Sequence, residues 1–345
     1  MRACIAALAS ALAIAAATPV AAQDDVAAFF KGKQMRLIVG SAVGGGYDLY
    51  SRALARHMVN HIPGNPTIIV QNQPAAGGMI LTNQLYNQGP KDGTVFAAPL
   101  NSMPTAPMLM NGTQFDATKL NWLGSLNREA YVAFLWHTAP VSHIADMATK
   151  EVLVGSTTVG TTMNDFPLLL NELLGYKFKL VRGYKGTPEI NIAIERGEIQ
   201  GNAGVGLASV KTLSQKWIDE KKIKFIAQFN QQAQPYPELA GVPLAMDQAK
   251  TDVQRQAMRL LFARTDFARP YFLPPDVPPD RVQAMRRAFD ATLKDPAFLA
   301  EAEKLQIEIL PMTGEALQKL VGELAATPPE IVARVKAALD APVAK

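Results

Sequence analysis

The sequence predicts an α/β protein built from two α/β units and a helical tail, with a ligand cleft between the units. Three observations carry this. Short β-branched or aromatic runs alternate with helical patterns over residues 35–98, and the alternation recurs over 131–229. From about residue 279 onward only helical patterns remain. Connections of this kind call for parallel sheets with helices on both faces.

In chain order, residues 1–22 read as a cleavable secretory leader. They carry one basic residue, Arg2, an alanine-rich apolar run, and small residues Val20 and Ala22 before the cut. Cys4, the chain's one cysteine, leaves with the leader, so the mature chain suits an oxidising compartment. No other run reaches the ~18 apolar residues of a membrane span. The first unit then opens with the strand "MRLIV" (35–39) and a helix in which Tyr50, Leu54, Met58 and Ile62 recur every four residues. "HIPGNP" stops that helix before the strand "TIIVQ" (67–71). A second helix over 79–88 ends at "GPKDG" and is followed by "TVFAA" (94–98).

The second unit has strands "YVAFLW" (131–136), "EVLVGS" (151–156), "YKFKLVRG" (176–183) and "IKFIAQF" (223–229). Helices fall at about 163–174 and 187–196, the latter with Thr187 as N-cap and Pro188 in its first turn. The tail holds two helices separated at Asp295–Pro296 and two more at "TGEALQKLVGEL" and "PPEIVARVKAAL". It is expected to return and pack on the first unit.

Most chemistries lack the residues they need. The net charge of +4 comes from 34 basic and 30 acidic residues. They are scattered apart from "DEKKIKF", which gives nucleic-acid binding no support. "VGGGYDLY" is not a dinucleotide turn, because Leu49 stands where the third glycine or an alanine is required, and it has no P-loop lysine. His57 and His61 are four apart on one helix but lack the glutamate of H-E-x-x-H, so they read as solvated helix-end residues rather than metal ligands. There is no G-x-S-x-G elbow and no mature cysteine. A hydrolase using the hydroxyls of "STTVGTT" needs a histidine or carboxylate within reach of Ser156 or Thr161.

What remains is a set of anion-friendly loops, each following a strand. The Gly44–Gly46 turn aims backbone N–H groups and a helix dipole at its mouth. "GSTTVGTTMND" (155–165) offers the same geometry with hydroxyls added, and "APLNSMP" (98–104) carries Asn101 and Ser102. A β-branched residue at Gly45 is expected to strain a left-handed turn. Asp48 either caps the helix or meets a ligand ammonium.

Taken together, "RLIVGSAVGGGYDLYSRALA", "IIVQNQPAAGGM", "GPKDGTVFAA", "GSTTVGTTMNDF" and "YKGTPEINIAIERGEI" resemble, in order and spacing, the Bug family. These are extracytoplasmic solute receptors of tripartite tricarboxylate transporters, and the similarity runs from about residue 33 to the C-terminal helices. The resemblance implies a type II periplasmic binding protein fold, with lobe 1 formed by 23–125 plus 250–345 and lobe 2 by 126–249. It places first-lobe ligand contacts at Val43, Gly44, Gly45, Gly46, Tyr47 and Asp48, with Asn101 and Ser102 in the next loop. Second-lobe contacts fall on Ser156, Thr158, Gly160, Thr161, Thr162 and Asn164, and on Tyr184 and Lys185. It implies a monomeric periplasmic receptor, without cofactor or metal, for a small organic carboxylate: a di- or tricarboxylate, an aromatic acid or an amino acid. A two-subunit membrane permease is the expected partner, and a signalling partner is the alternative. Four positions depart from the family pattern: Val43 replaces a proline, Tyr47 a threonine or serine, Asn164 a histidine, and Gly204 an aspartate.

Overall fold

The computed structural model describes residues 25–75 and 78–340. The leader read at 1–22 lies outside the described residues, as do Ala76 and Gly77 of the A-A-G-G segment. Helix α1 (residues 25–30) leads into β1 (Gln34–Val39), α2 (Gly46–Met58), β2 (Thr67–Asn72), α3 (Met79–Gln88) and β3 (Val95–Ala98). After the short α4 (Ala106–Leu109) and β4 (Asn121–Ser125), the chain crosses to a second sheet. That sheet is built from β5 (Tyr131–Trp136), β6 (Val152–Gly155), β7 (Phe178–Val181), β8 (Gly201–Gly206) and β9 (Ile223–Gln228). Its helices are α5 (Thr162–Leu174), α6 (Thr187–Glu195) and α7 (Leu207–Asp219). The chain returns through α8 (Asp252–Phe262) to β10 (Pro270–Leu273). It finishes with α9 (Pro279–Thr292), α10 (Pro296–Lys304), β11 (Met312–Thr313), α11 (Gly314–Ala325) and α12 (Pro329–Asp340).

Two sheets result, ordered β11-β4-β10-β3-β1-β2 and β7-β6-β8-β5-β9. They are mixed rather than parallel as expected. The β1–β2, β1–β3, β6–β7 and β6–β8 pairs are parallel, whereas β10 runs antiparallel to β3 and β4, and β5 to β8 and β9. The reversed strands are those flanking the crossings, because a chain that leaves one sheet and enters the next arrives from the opposite end. The crossings also lie side by side: Glu129 N–H donates to the Thr265 carbonyl at 3.0 Å, Ala268 N–H to Asn127 at 3.0 Å and Leu126 N–H to Arg269 at 3.1 Å.

The tail departs from expectation in two ways. Its run of helices is interrupted by β11, which pairs with β4, and its members divide between the lobes. Helices α9, α10 and α11 lie on the first sheet and α2, while α12 lies against α5 and α8. One apolar cluster therefore runs continuously from Ile38, Met103 and Leu109 of the first lobe to Phe166, Phe229 and Phe262 of the second. Phe166, Phe229 and Phe262 meet ring to ring at centroid distances of 4.9–5.5 Å. His57 and His61 are not solvated helix ends: their Nε2 atoms pair with Glu301 at 2.6 Å and Asp295 at 2.9 Å, which pins α10 to α2. Helix α6 begins at Thr187 but its N-cap is Gly186, one residue before the expected cap.

Candidate functional site between the two lobes

The first-lobe turn is built on Gly44, which takes φ +80°, a conformation costly for any residue with a Cβ. The left-handed residue is thus Gly44, and Gly45 is extended at φ −78° as N-cap of α2, so the strain expected at Gly45 belongs one residue earlier. The first helical hydrogen bond runs from Leu49 N–H to the Gly45 carbonyl. Helix geometry leaves the N–H groups of Gly46, Tyr47 and Asp48 without intrahelical acceptors. Val43 stands 72% exposed at the tip.

Asp48 is buried beneath this turn. Its Oδ2 accepts from Gly44 N–H at 2.9 Å, and its Oδ1 accepts from Arg52 Nε and Asn72 Nδ2, both at 2.9 Å. Burial alone would raise its pKa, but the bonds from Arg52, Gly44 and Asn72 outweigh it and hold the carboxyl below its ordinary value. Both oxygens are committed to the fold, and they bond the Gly44 N–H ahead of the N-cap rather than a free N–H of the helix, so Asp48 fastens the turn instead of capping α2.

Arg269, the residue before β10, supplies a cation. Its guanidinium lies 4.5 Å from the Tyr47 ring and 5.1 Å from the Tyr50 ring. Its Nη2 lies 3.4 Å from where a Cβ on Gly46 would stand, directly under the first turn of α2. The same Nη2 pairs with Glu129 Oε2 at 3.4 Å, and the buried Nε has no partner among the described residues. Burial lowers the Arg269 pKa, but Glu129 and the phenols of Tyr47, Tyr131 and Tyr50 more than offset it, so the side chain stays charged. Burial raises the Tyr47 phenol against the opposing pull of Arg269.

The loop after β3 joins this group. Tyr47 Oη accepts from Asn101 N–H at 2.9 Å, so the two first-lobe loops are tied together. Asn101 Nδ2 donates to the Arg264 carbonyl at 3.1 Å and approaches Tyr131 Oη at 3.4 Å. Ser102 is buried beside it. Arg264 then carries the chain of contacts across the crossing: its Nη1 donates to Asp165 Oδ2 at 2.6 Å, with both side chains fully buried.

The second-lobe loop repeats the first-lobe device. Gly160 takes φ +86°, and its N–H donates to Asp165 Oδ1 at 3.1 Å, as Gly44 donates to Asp48. Thr161 is the N-cap of α5, without a side-chain cap. Its Oγ1 bonds Thr157 Oγ1 at 2.9 Å and the Thr158 carbonyl at 2.7 Å. Thr162 Oγ1 donates to the Gly204 carbonyl at 2.7 Å. Ser156 Oγ is buried with no hydrogen-bond partner among the described residues. Neither Ser156 nor Thr161 is hydrogen-bonded to a histidine or carboxylate among the described residues.

The remaining expected contacts lie elsewhere. Asn164 is fully buried and bonded within its own lobe, to Asp165 Oδ1 and Arg182 Nε. Lys185 extends into solvent near Glu189, and Tyr184 lies partly buried against the α6–α7 apolar cluster. Gly204 cannot carry a side chain, since a Cβ would stand 2.4 Å from the Thr162 carbonyl oxygen. Arg264, Arg269, Glu129, Tyr131 and Asp165 were not anticipated. The signal available was the run "LLFARTDFARPYFL" (260–273), where Arg264, Thr265, Asp266 and Arg269 interrupt a mostly apolar stretch. Such residues are rarely buried unless paired.

No protein-family model matches the chain. The UPF0065 protein in the gbd 5' region of Cupriavidus necator is 29% identical over 211 residues, covering 59% of this chain and 61% of that protein. A TctC solute-binding protein from Polaromonas matches with a TM-score of 0.67 and 20% identity, over 87% of this chain and 98% of that one. The periplasmic binding protein BugD matches at 0.61 and 20%, over 89% and 97%. MatC from Rhodopseudomonas palustris, with bound malate, matches at 0.61 and 16%, over 89% and 99%. The fold is that of the two-lobed periplasmic binding proteins, and the structural neighbours are the tripartite tricarboxylate solute-binding proteins that the sequence motifs resemble.

Proposed function

Starting from that shared two-lobed fold, we propose that this chain is a periplasmic receptor. It captures a small organic carboxylate between its lobes and delivers it to a two-subunit membrane permease. One observation carries the reading: the first turn of α2, behind a glycine turn, has N–H groups without intrahelical acceptors, and the Arg269 guanidinium lies 4.5 Å from the Tyr47 ring of that same turn. That is the donor set a carboxylate takes, combining helix dipole, backbone donors and a fixed cation. The polar contacts running from Tyr47 through Asn101 and Arg264 to Asp165 support the 156–162 loop as the second-lobe contact, and the unfilled Ser156 hydroxyl makes Ser156 our choice within it. Hydroxyls in that loop without a histidine or carboxylate partner favour binding over hydrolysis.

The lobes in this reading are 23–125 plus 250–345 and 126–249, which the membership of the two sheets supports except at α8 and α12. An exported monomer with a cleaved leader fits the same reading, and no helix among the described residues is long and apolar enough to cross a membrane. The reading is tested by thermal shift against mono-, di- and tricarboxylates, since a ligand stabilises the folded state by mass action. A carboxylate is expected to raise the melting temperature of the native protein and to lose most of that effect in Arg269→Gln. A screen in which no carboxylate shifts the melting temperature overturns it.

A further inference from the structure

Each sheet ends in two edge strands, and three of these four are protected among the described residues. β11 is two residues long. β7 has four residues and carries Lys179, while β9 carries Lys224 and is bridged at Gln228 to Leu244. Short strands, lysines and covering segments keep an edge from pairing. β2 has none of them. Its six residues, "TIIVQN", hold no charge and no proline, and among the described residues it pairs with β1 alone.

Thr67 N–H donates to the Lys33 carbonyl at 3.0 Å and Gln73 N–H to the Val39 carbonyl at 2.8 Å. The alternation of a strand then turns the backbone groups of Ile68 and Val70 away from β1, where no described residue bonds them. On one face, Ile68 and Val70 join Ala55 and Val59 of α2 in lining a groove of about 410 Å³, flanked by Arg52 and Arg56. On the other face Ile69 is 39% exposed, and Arg36 stands beside it in the register, exposed and without an ion-pair partner among the described residues. Asp48 and Asn72 engage Arg52, and Glu301 engages Arg56, leaving the Nη1 group of each arginine unbonded. Exposed Lys33 adds a further cation at the start of the edge, so positive charge exceeds negative along it. A second copy of this chain would set two such cationic edges side by side, which opposes self-pairing.

We propose that β2 is a docking edge for an acidic, extended segment of another protein. The segment adds to the first sheet as a further strand and bonds the free backbone groups of Ile68 and Val70. Its apolar side chains enter the groove on the α2 face, and its carboxylates meet Arg36 on the other. Backbone pairing supplies the affinity, while the groove and the arginines supply the selectivity. The edge needs no solute between the lobes, so it stands whether or not the receptor reading does.

The test is a fluorescence-polarisation titration of the full chain with labelled hexapeptides that alternate valine with glutamate or valine with lysine. The glutamate peptide is expected to bind about tenfold or more tighter than the lysine peptide. It should also slow hydrogen exchange at the Ile68 and Val70 amides, and its N-methylated form should not bind. Arg36→Glu, an exposed and unpaired position, should narrow the charge preference several-fold. Val70→Pro removes an outward N–H, a change that an edge strand tolerates, and should abolish binding; if that variant fails to fold, Arg36→Glu decides. Equal affinity for the two peptides, protection at other amides, or no binding by either peptide overturns the inference. Self-association of the native chain in sedimentation, lost in Val70→Pro, would assign the edge to a second copy and overturn it as well.

Discussion

The two cleft loops use one device with different consequences. In each, a glycine at positive φ donates its N–H to an aspartate in the first turns of the following helix, and that aspartate is paired with an arginine. In the first lobe the arginine is Arg52, one turn along the same helix and 40% exposed. In the second it is Arg264, fully buried and drawn from the returning crossing, 99 residues away. A local pair near solvent adjusts a turn, whereas a buried pair between distant segments leaves an uncompensated buried charge when either partner is lost. Identical turn chemistry therefore says little about how much stability rests on it.

The largest effect should come from breaking the buried pair. Asp165→Ala leaves the Arg264 charge without a counterion and is expected to cost about 3–5 kcal/mol in urea unfolding. A loss below about 1 kcal/mol, the scale of a surface pair, would erase the contrast between the loops.

Next comes ligand affinity. Arg269→Gln removes a charged donor from the turn and should weaken carboxylate binding by about 1.5–3 kcal/mol, against about 1 kcal/mol for the neutral hydroxyl lost in Ser156→Ala. Calorimetry that reversed this order would shift the anchoring role to the second lobe.

Backbone strain ranks third. Gly44→Val meets open space, so its cost is the left-handed backbone alone, about 1–2 kcal/mol. Gly160→Ala bears a similar strain and also presses on Met110 Cε at 3.3 Å. Equal melting temperatures for the two variants would mean that Met110 gives way freely.

The smallest effect is acid sensitivity. Because the folded Asp48 pKa is lowered, its contribution to stability is fully present above about pH 4. It fades as pH falls through the lowered value. The urea midpoint of Asp48→Asn should therefore converge with that of the native protein at low pH. A constant gap at every pH would show that charge is not what Asp48 contributes.

The strands readable from the sequence were those with continuous β-branched or aromatic runs, such as "YVAFLW". β8 was not, because "GNAGVG" has almost no strand propensity. Its glycines are dictated by approach: a Cβ at Gly201 would strike the Phe134 carbonyl, one at Gly204 the Thr162 carbonyl, and one at Gly206 the Glu129 carboxylate. Such contacts exist only after folding. The same holds for the site. The glycine turns and their following helices were visible as local patterns, whereas Arg264 and Arg269 arrive from the return crossing and share a mostly apolar stretch with Asp266. Asp48 was visible as a residue, but the burial that commits both its oxygens was not.

The apolar seam through Phe166, Phe229 and Phe262 has a mechanical consequence. A close-packed seam resists shear and compression, so the lobes are hung along one edge like the covers of a book on its spine. Opening is then a rotation about the spine, with the paired crossings twisting and the free margins sweeping the widest arc. A rotation of a few degrees about the seam, which leaves its packing in place, becomes ångströms of displacement at the margins farthest from it.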